Sequence, residues 1–156
     1  MPVDYIPRTR ELYSEFIPYR WVYNEGVPPW TPLKKPISQC KVALMSSGGL
    51  MYRDQPRFHR EDASYRKIPK NARRDELSIW HFGYITTDAE RDPNCVFPLE
   101  RMRELEAEGV IGELSDPVFS FMGGVYSSRK VREELAPQIA DELKRAHVDA
   151  FYLVPA

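Results

Sequence analysis

The sequence predicts an α/β fold: an open, mostly parallel, Rossmann-like sheet with flanking helices, lacking its C-terminal strands. Three observations carry this reading. "VALM" at 42–45 and "AFYLV" at 150–154 are short apolar runs without the alternation of a half-wet strand, as expected of parallel strands covered on both faces. Two amphipathic helical patterns lie between them, separated by the apolar stretch "PVFSFMGG". Strand, helix, strand, helix, strand implies parallel pairing through right-handed crossovers. Only three strands are evident where sheets commonly hold about four to six, so the sheet reads as unfinished.

At 156 residues, 42% hydrophobic and 29% charged, the chain is long and apolar enough to bury one real core. Residues 1–39 read as an aromatic and proline-rich arm, with a short helix near 8–16 and Tyr19, Trp21, Tyr23 and Trp30 as its anchors. Pro28, Pro29, Pro32 and Pro36 favour extended backbone there. Residues 40–156 read as the N-terminal part of a single α/β domain.

The first strand is expected near 41–46, closed by the turn Ser46, Ser47, Gly48 and Gly49. That turn matches neither G-x-G-x-x-G nor a P-loop, and it reads either as a plain turn or as a loop that touches ligand. Residues 51–78, rich in charges of both signs and carrying Arg53, Arg57, Arg60, Arg66, Arg73 and Arg74, read as one long irregular segment. Such a loop is a solvated excursion, or a lid or docking surface for an acidic partner. His81, Tyr84, Asp88, Asp92 and Asn94 precede a helix near 97–108, marked by Pro98 at its start, Leu99, Met102 and Leu105 on one side, and Gly109 as its stop. A second strand follows near 117–121. The next helix spans about 128–146 with Val131, Leu135, Ile139 and Leu143 on one face, and Pro137 kinks or divides it. The last strand, near 149–154, reads as buried.

The composition also excludes function classes. With 22 basic and 23 acidic residues the net charge is -1, which gives no electrostatic case for nucleic acid or an anionic membrane as partner. No stretch approaches the roughly 18 apolar residues of a membrane span and the N-terminus lacks a signal-peptide pattern, so a cytoplasmic protein is expected. His59, His81 and His147 are scattered and Cys40 and Cys95 form no C-x-x-C pair, so no metal site is expected. Both cysteines read as buried free thiols, with Cys95, near a helix start, the lesser alternative as a redox partner. A dinucleotide site lacks both its glycine spacing and its acidic ribose partner.

The stretches "PPWTPLKKPISQCKVALMSSGGL", "DPNCVFPLERMRELEAEGVIG", "FSFMGG" and "VDAFYLVPA", in that order, resemble the selenoprotein B subunit of the glycine, sarcosine, betaine and D-proline reductases, including its shorter relatives. The resemblance covers roughly residues 20–156. It implies reductive cleavage of a carbon–nitrogen bond next to a carboxylate or carbonyl, in a small amino-acid-like substrate, by a selenol or thiol. In that family the attacking selenocysteine or cysteine comes directly after the strand that here ends in Ala156. The nucleophile is therefore expected just beyond Ala156, where a UGA codon read as a stop would cut a selenoprotein. No other cofactor is expected; the partners implied are other reductase subunits or a thiol electron donor, with a homo-oligomer as a further expectation.

Ligands of open α/β sheets sit beyond the carboxyl ends of the strands. The expected pocket is therefore formed by Ser46, Ser47, Gly48 and Gly49, by His81, Tyr84, Asp88, Asp92 and Asn94, and by Met122 and Gly123, together with whatever follows Ala156. His81 is the candidate proton donor to the leaving nitrogen, and Asp88 or Asp92 would orient it or hold an ammonium group. The alternative function is a noncatalytic α/β module that binds a small anion or a partner subunit.

Overall fold

The computed structural model describes residues 26–156 continuously and, before them, only Pro7, Arg8, Glu11 and Ser14. Of the helix expected near 8–16 only Arg8, Glu11 and Ser14 are among the described residues, the anchors Tyr19, Trp21 and Tyr23 lie outside them, and Trp30 is exposed instead of packed. The compact unit considered below is Leu33–Ala156. Among the described residues no helix is long and apolar enough to cross a membrane.

The unit is α/β with a mostly parallel sheet. Its centre is β1 (Lys41–Ser46), whose Val42, Ala43, Leu44 and Met45 are all buried. Strands β5 (Glu113–Leu114) and β6 (Val118–Phe121) run parallel to β1, one against each of its halves, with Lys41 opposite Glu113 and Ser46 opposite Ser120. Strand β7 (Ala150–Val154) pairs parallel along the other edge, from Val42 opposite Ala150 to Ser46 opposite Val154.

Alternation along β1 assigns its faces. Val42 and Leu44 join a cluster with Phe97, Leu99 and Met102, which places the helix α2 (Leu99–Ala107) on one face. Met45 joins Phe119, Leu135 and Ile139 on the other. There the helix opens as α3 (Ser128–Lys130), passes through a π-helical turn at Val131–Leu135 and continues as α4 (Ala136–Arg145). Pro137 sits in the first turn of α4, where its missing N–H matters least, so it divides the helix as expected. Full burial of a Leu44 or Phe119 side chain stabilises by about 1.5–3 kcal/mol, and such contacts on both faces hold the layers together.

Two expectations fail. Residues 51–78 are not one irregular segment: they hold β2 (Leu50–Tyr52, entered from Leu50), β3 (Tyr65–Ile68) and the start of β4 (Leu77–Ile79). Strand β3 pairs antiparallel with β6, and β2 pairs antiparallel with β4 as a separate two-stranded ribbon. The sheet thus has five strands, not three. The last strand is not buried either, because Phe151, Tyr152 and Leu153 are 42%, 46% and 47% exposed. Strand β7 uses one edge for β1, and among the described residues nothing pairs with its other edge.

Candidate functional site at the carboxyl edge of the sheet

The site grows from the turn after β1. Ser46 is fully buried; its hydroxyl donates to the Val96 carbonyl at 2.6 Å and accepts from Gly48 N–H at 2.9 Å, the local bond by which serine bends a chain. Gly49 follows with φ +74, where a Cβ would lie 2.3 Å from the Trp80 carbonyl oxygen. Only glycine satisfies both constraints. The same residue donates to the Phe121 carbonyl and accepts from Trp80 N–H, each at 2.9 Å, so the turn is clamped between the end of β6 and the loop after β4. Met122, fully buried, bridges Gly48 from the β6 side.

Ser47 collects three strand ends. Its N–H donates to Val154 O at 3.0 Å, its carbonyl accepts from Gly123 N–H at 2.8 Å, and its hydroxyl accepts from Ala156 N–H at 2.8 Å. A side chain at Gly123 would press on Ser47 at about 3.0 Å, which explains glycine there. The N–H groups of Ser47, Gly48 and Gly49 are all engaged internally, so the turn offers no cradle for an anion.

His81 lies against this junction. Gly83 N–H points at its Nδ1 at 2.8 Å and Gly123 N–H approaches its Nε2 at 3.2 Å. An uncharged imidazole has one acceptor nitrogen, and the short contact from Gly83 N–H fits Nδ1 in that role, while Gly123 N–H also donates to the Ser47 carbonyl at 2.8 Å. Burial lowers its pKa below the ordinary value, partly offset by the Ser47 carbonyl beside the ring. Tyr84 packs on it, ring centres 4.5 Å apart, and donates its hydroxyl to the Gly48 carbonyl at 2.9 Å. Burial first, then Cys95 and Glu90, push that phenol up to about 12, so it is a neutral donor at any physiological pH.

The junction thus joins Ser46, Ser47, Gly48, Gly49, His81, Tyr84, Met122 and Gly123 to the backbone of Ala156. The remaining three expected residues have their polar partners outside this junction. Asp88, on the short helix α1 (Thr87–Arg91), is exposed and pairs with Arg91 at 3.7 Å. Asp92 caps the turn Pro93–Cys95, where the side-chain and backbone amides of Asn94 hold its carboxyl below the usual range. Asn94 also donates to Glu100 at 2.8 Å, and its buried Oδ1 has no partner. None of their polar contacts is with Ser47, His81, Tyr84 or Gly123: Asp88 meets Arg91, Asp92 and Asn94 bond each other, and Asn94 bonds Glu100.

Sequence reasoning missed two features. Cys95 is exposed, not buried, whereas Cys40 is fully buried with its thiol against the Lys35 and Pro36 carbonyls. Trp80 and Phe82, on either side of His81, carry the guanidiniums of Arg57 and Arg60 stacked on their rings, at 4.5 and 5.9 Å. Two arginines at three-residue spacing, Arg57 and Arg60, and the aromatic residues on either side of His81 were the available signal. Among the described residues no group of three or more His, Cys, Asp or Glu is placed to hold a metal ion.

Residues 15–156 match the glycine/sarcosine/betaine reductase selenoprotein B family. The D-proline reductase subunit gamma of Acetoanaerobium sticklandii is 39% identical over 135 residues, 85% of this chain and 56% of that protein. The glycine reductase complex component B subunit gamma of Symbiobacterium thermophilum is 39% identical over 155 residues, 92% of this chain and 35% of the relative. The sarcosine reductase complex component B subunit beta of Peptoclostridium acidaminophilum is 39% identical over 105 residues, 64% of this chain and 24% of the relative. The chain therefore spans between about a quarter and somewhat over half the length of these curated relatives. No solved structure matches it.

Proposed function

Starting from the fact that this chain belongs to the glycine/sarcosine/betaine reductase selenoprotein B family, we propose that it supplies the carboxyl-edge half of a reductase site that cleaves the carbon–nitrogen bond of a small amino-acid-like substrate. The observation that carries the reading is the bond from Ala156 N–H to Ser47 Oγ. It brings the end of β7 to the same junction as His81 and Gly123, so a selenol or thiol presented there would face them. When present, that group forms a bond to the substrate carbon while the carbon–nitrogen bond breaks and its electron pair leaves on nitrogen.

In this reading the chain's own residues position and move a proton. Ser47 holds the end of β7, and Tyr84 holds the Gly48 carbonyl and the His81 ring. His81, uncharged at rest, takes the proton of the incoming selenol or thiol and returns it to the departing nitrogen. A thiol donor, as a partner of the complex, then attacks the selenium or sulfur, so that its bond to the substrate carbon breaks and the carbon leaves with that electron pair and a proton; a second thiol of the donor releases the resulting mixed selenosulfide or disulfide as the donor's own disulfide and restores the nucleophile. The gamma and beta designations of the relatives support a role as one subunit among several.

The test is an amide NMR titration of the chain with glycine, sarcosine, glycine betaine and D-proline. Shifts concentrated at Ser47, Gly83, Gly123 and Ala156 for at least one of them support the proposal. Shifts confined to residues 88–94, or none at millimolar ligand, refute it.

A further inference from the structure

We propose that Arg57 and Arg60, stacked on the aromatic residues that flank His81, form a docking patch for an acidic segment of a partner protein. The inference rests on this patch alone and goes beyond the chemistry proposed for the junction. The Arg57 guanidinium lies 4.5 Å from the centre of the Trp80 ring, and that of Arg60 lies 5.9 Å from the centre of Phe82. The two rings meet edge to face at 6.1 Å. Two cations are thus set side by side on one aromatic platform.

What distinguishes them from Arg66 and Arg73, among the described residues, is a guanidinium stacked on a ring with no acidic partner. Arg66, in the same stretch, is engaged by Asp62 and by the Pro56 carbonyl, and Arg73 is engaged by Asp75. Among the described residues the guanidiniums of Arg57 and Arg60 make no ion pair and no hydrogen bond, and both residues are exposed. Stacking orders a long flexible side chain in advance, which removes part of the entropic cost of binding, and leaves the fork of N–H donors open to carboxylates. Arginine, tryptophan and phenylalanine are the residues that concentrate binding energy at protein interfaces. Phe82, 46% exposed, adds apolar area a partner would cover.

The chemistry selects the occupant. Guanidiniums on separate rings are matched by a row of carboxylates on one chain, not by the single carboxylate of a small molecule. Trp80 also fixes the backbone at Gly49, and His81 lies between the two platform rings in sequence, so a partner seated here lies beside the mouth of the junction.

The test uses a fluorescein-labelled peptide of about ten glutamates and follows its anisotropy as the chain is added in low salt. The Arg57→Glu/Arg60→Glu double variant should bind about tenfold or more weakly, Arg57→Lys/Arg60→Lys about threefold more weakly, and Arg101→Glu, on the outside of α2, within about twofold of the parent. Melting curves establish that each variant is folded; should the Glu variant unfold, the Lys variant carries the comparison. Equal binding by parent and double variant, absence of binding by the parent, or displacement of the peptide by acetate at equal carboxylate concentration would each overturn the proposal. The last result would identify a small-carboxylate site instead.

Discussion

The hydroxyl of Ser47 accepts a hydrogen bond from the Ala156 N–H at 2.8 Å, joining positions 109 residues apart. The bonds of Ser47 to Val154 and Gly123 use its backbone and are retained when its side chain is cut to alanine. Ser47→Ala should therefore cost about 0.5–1.5 kcal/mol and speed amide exchange at Ala156 while leaving Gly123 protected. Unchanged exchange at Ala156 would show that the hydroxyl does not hold the end of β7.

Gly49 leaves no room for a side chain. Its φ of +74 disfavours any other residue, and an added Cβ would meet the Trp80 carbonyl oxygen at 2.3 Å. Gly49→Ala should lower stability by at least about 2 kcal/mol, from left-handed strain and the displaced backbone clamp together, with a matching drop in the urea midpoint. A loss under about 0.5 kcal/mol would mean the clamp is loose.

His81 titrates below the ordinary imidazole value of 6.5, because burial disfavours its charged form. Below 6.5 the unfolded chain then binds more protons at this position than the folded one, so stability rises with pH through that window. The contribution is fully present above 6.5 and is lost as the pH falls toward the lowered folded value. An NMR titration should place His81 under 6.5, and His81→Gln should flatten that part of the stability profile. A native value at or above 6.5 would contradict the surroundings described for the ring.

Among the described residues nothing pairs with the outer edge of β7, and its Phe151, Tyr152 and Leu153 are exposed. Unpaired apolar edges template association between chains. The isolated chain should self-associate with increasing concentration in sedimentation velocity, and Tyr152→Lys should shift it toward monomer by adding charge to the edge. A concentration-independent monomer in the parent chain would remove this edge as an interface.

Much of the fold was legible because its core strands carry their own signal. Met45 and Leu44 announce burial on both faces of β1, and Leu135 and Ile139 the inner face of the helix that covers it. The missed strands lack such a signal. Strand β3 reads Tyr-Arg-Lys-Ile, and its place comes from pairing with β6 and from the Lys67–Glu142 ion pair, neither of which is local in sequence. The same limit shaped the site. Ser47, His81 and Gly123 meet because strand ends converge, a relation the order of strands predicts, whereas the local bonds of Asp92 with Asn94 and the ion pair of Asp88 with Arg91 depend on turn geometry that the sequence does not display. Arg57 and Arg60 are noticed only once their rings are in place.

The central claim is that a nucleophile at the end of β7 works against the junction of Ser47 and His81. The most direct measurement is dithiol-dependent release of amine from sarcosine or glycine betaine, or ring opening of D-proline, by a form of the chain carrying cysteine or selenocysteine directly after Ala156, beside the 156-residue chain. The account predicts turnover only in the extended form, reduced about 10²-fold or more by His81→Ala, on the scale of general acid–base catalysis. Turnover by the 156-residue chain that is abolished by Cys95→Ser, or turnover by the extended form indifferent to His81, would contradict it.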